Sequence, residues 1–227
     1  MISDILDLMR GDMTLVEFIV SVGAVVFVVF CATPLHEFAH ALVAYKLGDN
    51  TARNMGRLTI SPLAHIDYMG AIMIFLFGFG YAKPVPVRMR NFKKPKRDMA
   101  LVALAGPVSN VLQATVLLFI YFLIAWLTRN SASETVMYIN EFFFLAAFIN
   151  VNLAVFNLIP IPPLDGSRIL NAVLPSKYYY KLMQYEKYSF IALLVLLATG
   201  ILSVPISIAS GLLLRGITFI TSLPFNL

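Results

Sequence analysis

A single cysteine, Cys31, is all the thiol this chain carries, so no intramolecular disulfide can staple it. Cys31 sits inside an apolar run and reads as a packing residue rather than a redox sensor. Charge is scarce as well: Asp, Glu, Lys and Arg make up 13% of 227 residues, against 59% hydrophobic ones. That balance excludes an ordinary water-soluble globule and leaves an integral membrane protein in contact with a lipid bilayer. Long polar tracts and internal repeats are missing too. Their absence argues against a soluble head large enough to hold a cleft, and against the repeated halves of many transporters. The net charge of +5 does not mark a nucleic-acid surface, because the basic residues fall in loops between apolar runs, as orientation signals do. No nucleic-acid partner is expected.

Apolar segments cover residues 14–47, 99–127, 136–158, 188–203 and 206–223. They predict an all-α polytopic membrane protein with about five transmembrane helices. The first segment follows Asp4, Asp7 and Asp12 rather than a basic stretch, so it is not expected to be a removable signal peptide. At 1.5 Å per residue it would be about 51 Å long against a hydrocarbon core of roughly 30 Å, so it must tilt or bend at Pro34. Residues 51–92 read differently. "GAIMIFLFGFG" is short and closed by Gly78 and Gly80, and Val85 and Val87 alternate with prolines. This predicts a re-entrant or interfacial, β-containing segment, with an edge strand near 82–87 and strand-like character at 57–60. The lysines and tyrosines of 176–188 predict a helix lying at the interface.

The basic residues from Lys46 to Arg97 and from Arg168 to Lys187 fall on one side of this layout, and Arg10 and Arg129 on the other. The positive-inside bias then places the N-terminus outside a cell membrane and His36 toward the cytoplasmic face. Arg215 fits neither side. Residues 1–227 are expected to form one membrane-embedded domain, with a core near 14–175 and a C-terminal helical pair near 188–223.

Within the first apolar segment stands "PLHEFAHALVAY". His36 and His40 are four apart and share one helix face, with Glu37 beside the first, which is the spacing of zinc hydrolases. Two packing histidines beside an acid would each need a polar partner in lipid, so metal binding is the better reading. A catalytic zinc site needs a third ligand and leaves a fourth position for water. Among twelve carboxylates the best placed is Asp165 in "FNLIPIPPLDGSR", where three prolines forbid a regular helix and Gly166 frees the backbone. A helix-capping aspartate is the alternative. For Asn110 in "AGPVSN", a place beside the substrate and interhelical packing stay equally open; Asn152 and Asn150 fit packing, with Asn152 carried as a substrate-side candidate. His65 and Asp67 fit a hydrogen-bonded loop corner better than a second metal site.

"HEFAH" together with "NLIPIPPLDG" resembles the site-2 protease family of intramembrane zinc metalloproteases, and "GRLTISPLAHID", "AKPVPV" and "ALAGPVSN" resemble its small bacterial members. The resemblance covers about residues 30–175. It implies one Zn2+ per chain held by His36, His40 and Asp165, with Glu37 as general base and Asn157 as oxyanion donor. A transmembrane protein or peptide is then the substrate, and Ala82, Lys83, Pro84 and Val85 are expected to contact it once its helix opens. A regulatory membrane protein is a further expected partner. The alternative is a catalytically silent relative acting as a membrane adaptor or as a metal- or helix-binding protein.

Overall fold

A computed structural model describes residues 2–77, 83–129, 133–175, 177 and 184–225, and all regular structure among them is helical. A short helix α1 (Ile2–Arg10) leads into α2 (Leu15–Phe27). A capping box closes the start of α2: Glu17 N–H donates to the Thr14 hydroxyl at 3.2 Å, and Thr14 N–H donates to the Glu17 carboxylate at 2.7 Å. One π-helical turn, Val28–Ala32, joins α2 to α3 (Thr33–Lys46) without a break. That wide turn stands directly ahead of Pro34, whose missing N–H would interrupt a regular ladder. The bend expected at Pro34 is thus met by a π turn, and Leu15–Lys46 runs on for 32 residues.

Three short helices follow, α4 (Thr51–Asn54), α5 (Pro62–His65) and α6 (Tyr68–Phe77), then an extended stretch at 83–88 and a 3-10 turn, Met89–Asn91. The expected β-containing segment is not there: no described residue of 51–92 lies in a strand. The physical reason is that side chains have taken the groups a strand partner would need. Arg57 donates to the carbonyls of Lys83 and Pro84, each at 3.1 Å, and the Asp49 carboxylate accepts the Arg88 N–H at 2.7 Å. Pro84 and Pro86 have no N–H to offer a ladder. Residues 57–60 are irregular, with His65 Nε2 donating to the Thr59 carbonyl at 2.7 Å. Gly78, Gly80 and Ala82 lie outside the described residues, as does most of the proposed interfacial helix at 176–188.

The long helices α7 (Pro95–Leu127) and α8 (Glu134–Asn157) come next, then α9 (Asp165–Leu170), α10 (Glu186–Ala198) and α11 (Ser203–Ser222). Among the described residues, four stretches are long and apolar enough to cross a membrane: Leu15–Lys46, Pro95–Leu127, Glu134–Asn157 and Ser203–Phe225. The chain is therefore a multi-pass membrane protein, with four such spans among the described residues against the about five expected. The fifth apolar segment falls short because α10 has 13 residues, about 20 Å of helix, before Gly200 turns the chain at φ 72°.

The helix α7 is central, packing against α3, α8, α9 and α11. Where α7 and α11 pack with α8, and α8 with α2, the core is built from small residues, Ala24, Ala114, Ala146 and Ala147 around Leu118, Val151 and Ile217, which let the backbones approach closely. A second apolar cluster, Ala44, Phe92, Met99 and Val102, fixes the end of α3 against the start of α7. Phe225 packs beside Phe119 and Trp126, with ring centroids 5.3 and 6.4 Å apart, so α11 runs parallel to α7.

Candidate active site

Two consecutive turns of α3 present His36 and His40 from one face, with the rings edge-on at 4.7 Å between centroids and an interplanar angle of 84°. Asp165 reaches them from the first turn of α9. Its Oδ2 lies 3.3 Å from His36 Nε2 and 3.2 Å from His40 Nε2, and the two Nε2 atoms are 3.0 Å apart. Asp165 opens a helix, yet its carboxylate turns to the histidines instead of capping; the position ahead of α9 belongs to Leu164, whose carbonyl takes the Ser167 hydroxyl at 2.7 Å. Among the described residues this is the one group of three such side chains able to share a metal ion.

The donor set fits zinc. With metal–ligand bonds of about 2.0–2.1 Å, two vertices of a tetrahedron stand roughly 3.3 Å apart, which the observed 3.0–3.3 Å approaches. The proton on His40 is also placed correctly. Its Nδ1 lies 2.7 Å from the Val102 carbonyl, which can only accept, so Nδ1 carries the hydrogen and the Nε2 lone pair faces the site. Space is reserved by Gly106 in α7. A Cβ there would stand 2.5 Å from His36 Cε1 and Nε2 and closer still to His40 Nε2. Gly166 is held by the same kind of limit, since a Cβ would collide with the carbonyl oxygens of Leu158 and Ile159.

The three ligands and Glu37 border a cavity of about 800 Å³. Phe148, Ile149, Leu153 and Phe156 make one wall apolar, and Pro84, Val85 and Val87 form another. Asn110, Asn152 and Asn157 all reach it. Asn152 Nδ2 donates to the Phe148 carbonyl at 2.8 Å and Asn157 Nδ2 to the Leu153 carbonyl at 3.0 Å, so each side chain is tethered to its own helix by one turn. Asn150 turns into the bundle and is fully buried, as a packing residue would be. Lys83 is not part of the cavity wall. His65 and Asp67 do form a loop corner, Asp67 accepting the N–H groups of Met69 and Gly70 at 3.0 Å each.

The wall at 83–88 is anchored from both ends. Asp49 is completely buried and accepts from Arg88 N–H, from Asn91 Nδ2 at 2.6 Å and from Thr51 N–H at 3.0 Å. Burial alone pushes its carboxyl up, but these hydrogen bonds outweigh burial and hold it below the usual carboxylate range. Sequence reasoning missed this anchor, along with Gly106 and Arg168, a cation on the cavity wall one turn after Asp165. The signals were present: Gly106 precedes a proline inside an apolar span, and Arg168 follows Asp165 by three residues on a helix face.

Comparison with known proteins agrees with this geometry. The sequence profile of peptidase family M50 matches residues 125–201, which include Asn157 and Asp165. YwhC of Bacillus subtilis is 44% identical over 165 residues, covering 73% of this chain and 75% of that protein. Rip2 of Mycolicibacterium smegmatis is 31% identical over 74% of this chain and 64% of its own length. Zinc metalloprotease MJ0392 of Methanocaldococcus jannaschii is 28% identical over 69% of this chain, which spans 36% of that longer protein. No solved structure matches significantly. With a triad of zinc-ligand type and a relative of this identity and coverage, the chain belongs to peptidase family M50.

Proposed function

We propose that the protein is an intramembrane zinc endopeptidase, hydrolysing peptide bonds within or near transmembrane segments of membrane-anchored substrates. The observation that carries this reading is the convergence of His36, His40 and Asp165 on the wall of a cavity that Glu37 shares. Bound there, zinc would supply Lewis acidity, making water acidic enough to act as a nucleophile near neutral pH and polarising a peptide carbonyl. The Glu37 carboxylate, to which no described residue donates a hydrogen bond, takes the proton from attacking water and returns it to the leaving amine. Asn157 donates through its side-chain amide to the carbonyl oxygen as charge develops on it, using the second N–H of the amide while the first stays on the Leu153 carbonyl. Pro84, Val85, Asn110 and Asn152 contact the peptide along the cavity, while the apolar wall of α8 limits water.

One membrane-embedded unit spanning 1–227 carries these parts. Its orientation follows from the basic residues of 46–97: N-terminus outside a cell membrane, with the zinc site toward the cytoplasm, where water is near. The test separates metal from chemistry. Purified wild-type protein should carry about one zinc per chain and cleave a membrane-inserted helical substrate. Glu37→Gln should retain the zinc and lose cleavage. Normal cleavage by that variant would refute the assigned base, and a wild-type protein that holds zinc but cuts no membrane helix would support a silent relative instead.

A further inference from the structure

Arg215 is the only charged residue in Ser203–Phe225. It is exposed, and no described residue hydrogen-bonds or ion-pairs with it. Its depth can be read from the bundle. Phe225 packs on Trp126, and the Arg129 guanidinium stands over the same Trp126 ring at 5.6 Å, an aromatic and cationic pair of the kind that marks a membrane rim. Arg215 lies ten residues before Phe225, about 15 Å inward along the helix, which is half of a roughly 30 Å hydrocarbon core. Snorkelling serves long cationic side chains near helix ends; at mid-span a bare guanidinium facing lipid is costly.

The face it occupies is defined by its neighbours. Ser210, Ile217 and Thr221 turn into the bundle, whereas Arg215 shares the opposite side of α11 with Ile208, Leu212 and Phe219, which are 59%, 64% and 66% exposed. Gly211 and Gly216 flank the arginine, and a Cβ at either would meet nothing within 4 Å, so another helix backbone can come close on this side.

We propose that this outward face of α11 is a docking surface for a transmembrane helix of a partner protein that carries an Asp or Glu at mid-membrane depth opposite Arg215. The partner is not the substrate: Ile206, the α11 residue on the cavity wall, is half a helix turn around from Arg215, so a helix docked on the arginine lies behind α11 from the site. A second copy of this chain is a poor counterpart. The carboxylates within its spans are engaged elsewhere: Glu37 lines the candidate active site, Glu17, Glu134 and Glu141 line a second hollow among α2, α7 and α8, and Asp98 is buried and accepts the Lys94 N–H at 2.9 Å. The proposal is independent of whether the protein cleaves peptides.

The test is photo-crosslinking from Leu212 and Phe219, each replaced in turn by a photoreactive residue in the full-length protein, in intact cells that make it. The expected result is a discrete adduct with a membrane protein whose linked helix holds a central carboxylate. Arg215→Leu should lower its yield at least tenfold while zinc content and thermal unfolding stay at wild-type values. Arg215→Glu combined with a lysine at the partner's carboxylate should restore the yield. Four outcomes overturn the proposal: adduct yield indifferent to Arg215→Leu, a linked helix without a carboxylate, adducts only between copies of this chain, or adducts with lipid only.

Discussion

Gly106→Ala is the substitution whose consequence follows most directly from the packing of α7 against the histidines. The added Cβ would stand 2.5 Å from two atoms of the His36 ring and nearer to His40 Nε2, whereas ordinary contact begins near 3.4 Å. Both rings must therefore retreat by about 1 Å, and metal–ligand distances tolerate only about 0.2 Å. His40 has little room to comply, because its Nδ1 is tied at 2.7 Å to the Val102 carbonyl one turn earlier on the same α7 helix. Losses of 10- to 100-fold in metal affinity accompany disturbed partners of metal ligands, and displacing two ligands at once should cost at least about 100-fold.

The helix itself should survive. Alanine exceeds glycine in helix propensity by about 0.8–1 kcal/mol, which offsets the restriction that Pro107 places on the residue before it. Zinc content by elemental analysis, affinity by chelator competition and helicity by circular dichroism would separate the two effects. The expected result is native helicity with little zinc; Val108→Ala, on an exposed part of the same helix, should bind normally. Full zinc occupancy at unchanged affinity in Gly106→Ala would refute the view that α7 is drawn against the ligands.

Asp165→Ala should reduce zinc occupancy sharply, and a variant that kept wild-type zinc would remove Asp165 from the ligand set. Asn157→Ala should keep zinc and lower the cleavage rate by roughly 10²–10³-fold, the usual loss on removing one oxyanion donor; an unchanged rate would discard that role. Asp49→Ala should destabilise the fold by about 1–3 kcal/mol, since it removes the buried, charged acceptor of the part-buried hydrogen bonds from Arg88, Asn91 and Thr51, as a shifted thermal midpoint would register. The sign of its pH dependence is fixed: a carboxyl depressed in the folded state stabilises above its unfolded value near 4, and the contribution is lost as pH falls through the lower folded value. Wild type and Asp49→Ala should therefore converge in stability only in acid, and a difference that grew there would contradict the hydrogen bonding. In a Cys31→Ser background, single cysteines at Arg90 or Lys96 should resist an impermeant thiol reagent in intact cells and one at Arg129 should react; the opposite pattern inverts the topology.

Side-chain chemistry was the legible part of this sequence. His36 and His40 follow from a four-residue spacing in lipid, and Asp165 from the scarcity of carboxylates, and the structure brings all three together within 3.3 Å. Span lengths were legible where apolar runs were long. They misled at 188–203, because hydropathy does not register the left-handed turn at Gly200 that ends α10 early. The β-containing segment failed for a different reason. Alternating valines and prolines describe an extended backbone correctly, but whether it pairs depends on what else reaches its carbonyls and N–H groups. Arg57 and Asp49, 26 and 39 residues upstream of their targets, got there first.

What stayed hidden immediately around the three ligand side chains shares one property: it is backbone. The Val102 carbonyl sets the His40 tautomer, the bare Cα of Gly106 leaves room for two imidazoles, and the carbonyls of Leu158 and Ile159 demand a glycine beside the third ligand. A main-chain atom has no residue type, so no motif announces it. Yet in a span where water is scarce, the peptide groups of neighbouring helices are the nearest polar partners for a metal ligand. A ligand set of this kind therefore constrains α7 as strictly as α3, although α7 contributes none of the three side chains. Substitutions on the buried face of 102–110, at Val102, Ala103, Gly106 and Asn110, should accordingly track with metal retention more closely than with helix stability, a pattern that a helix serving only to pack the bundle would not produce.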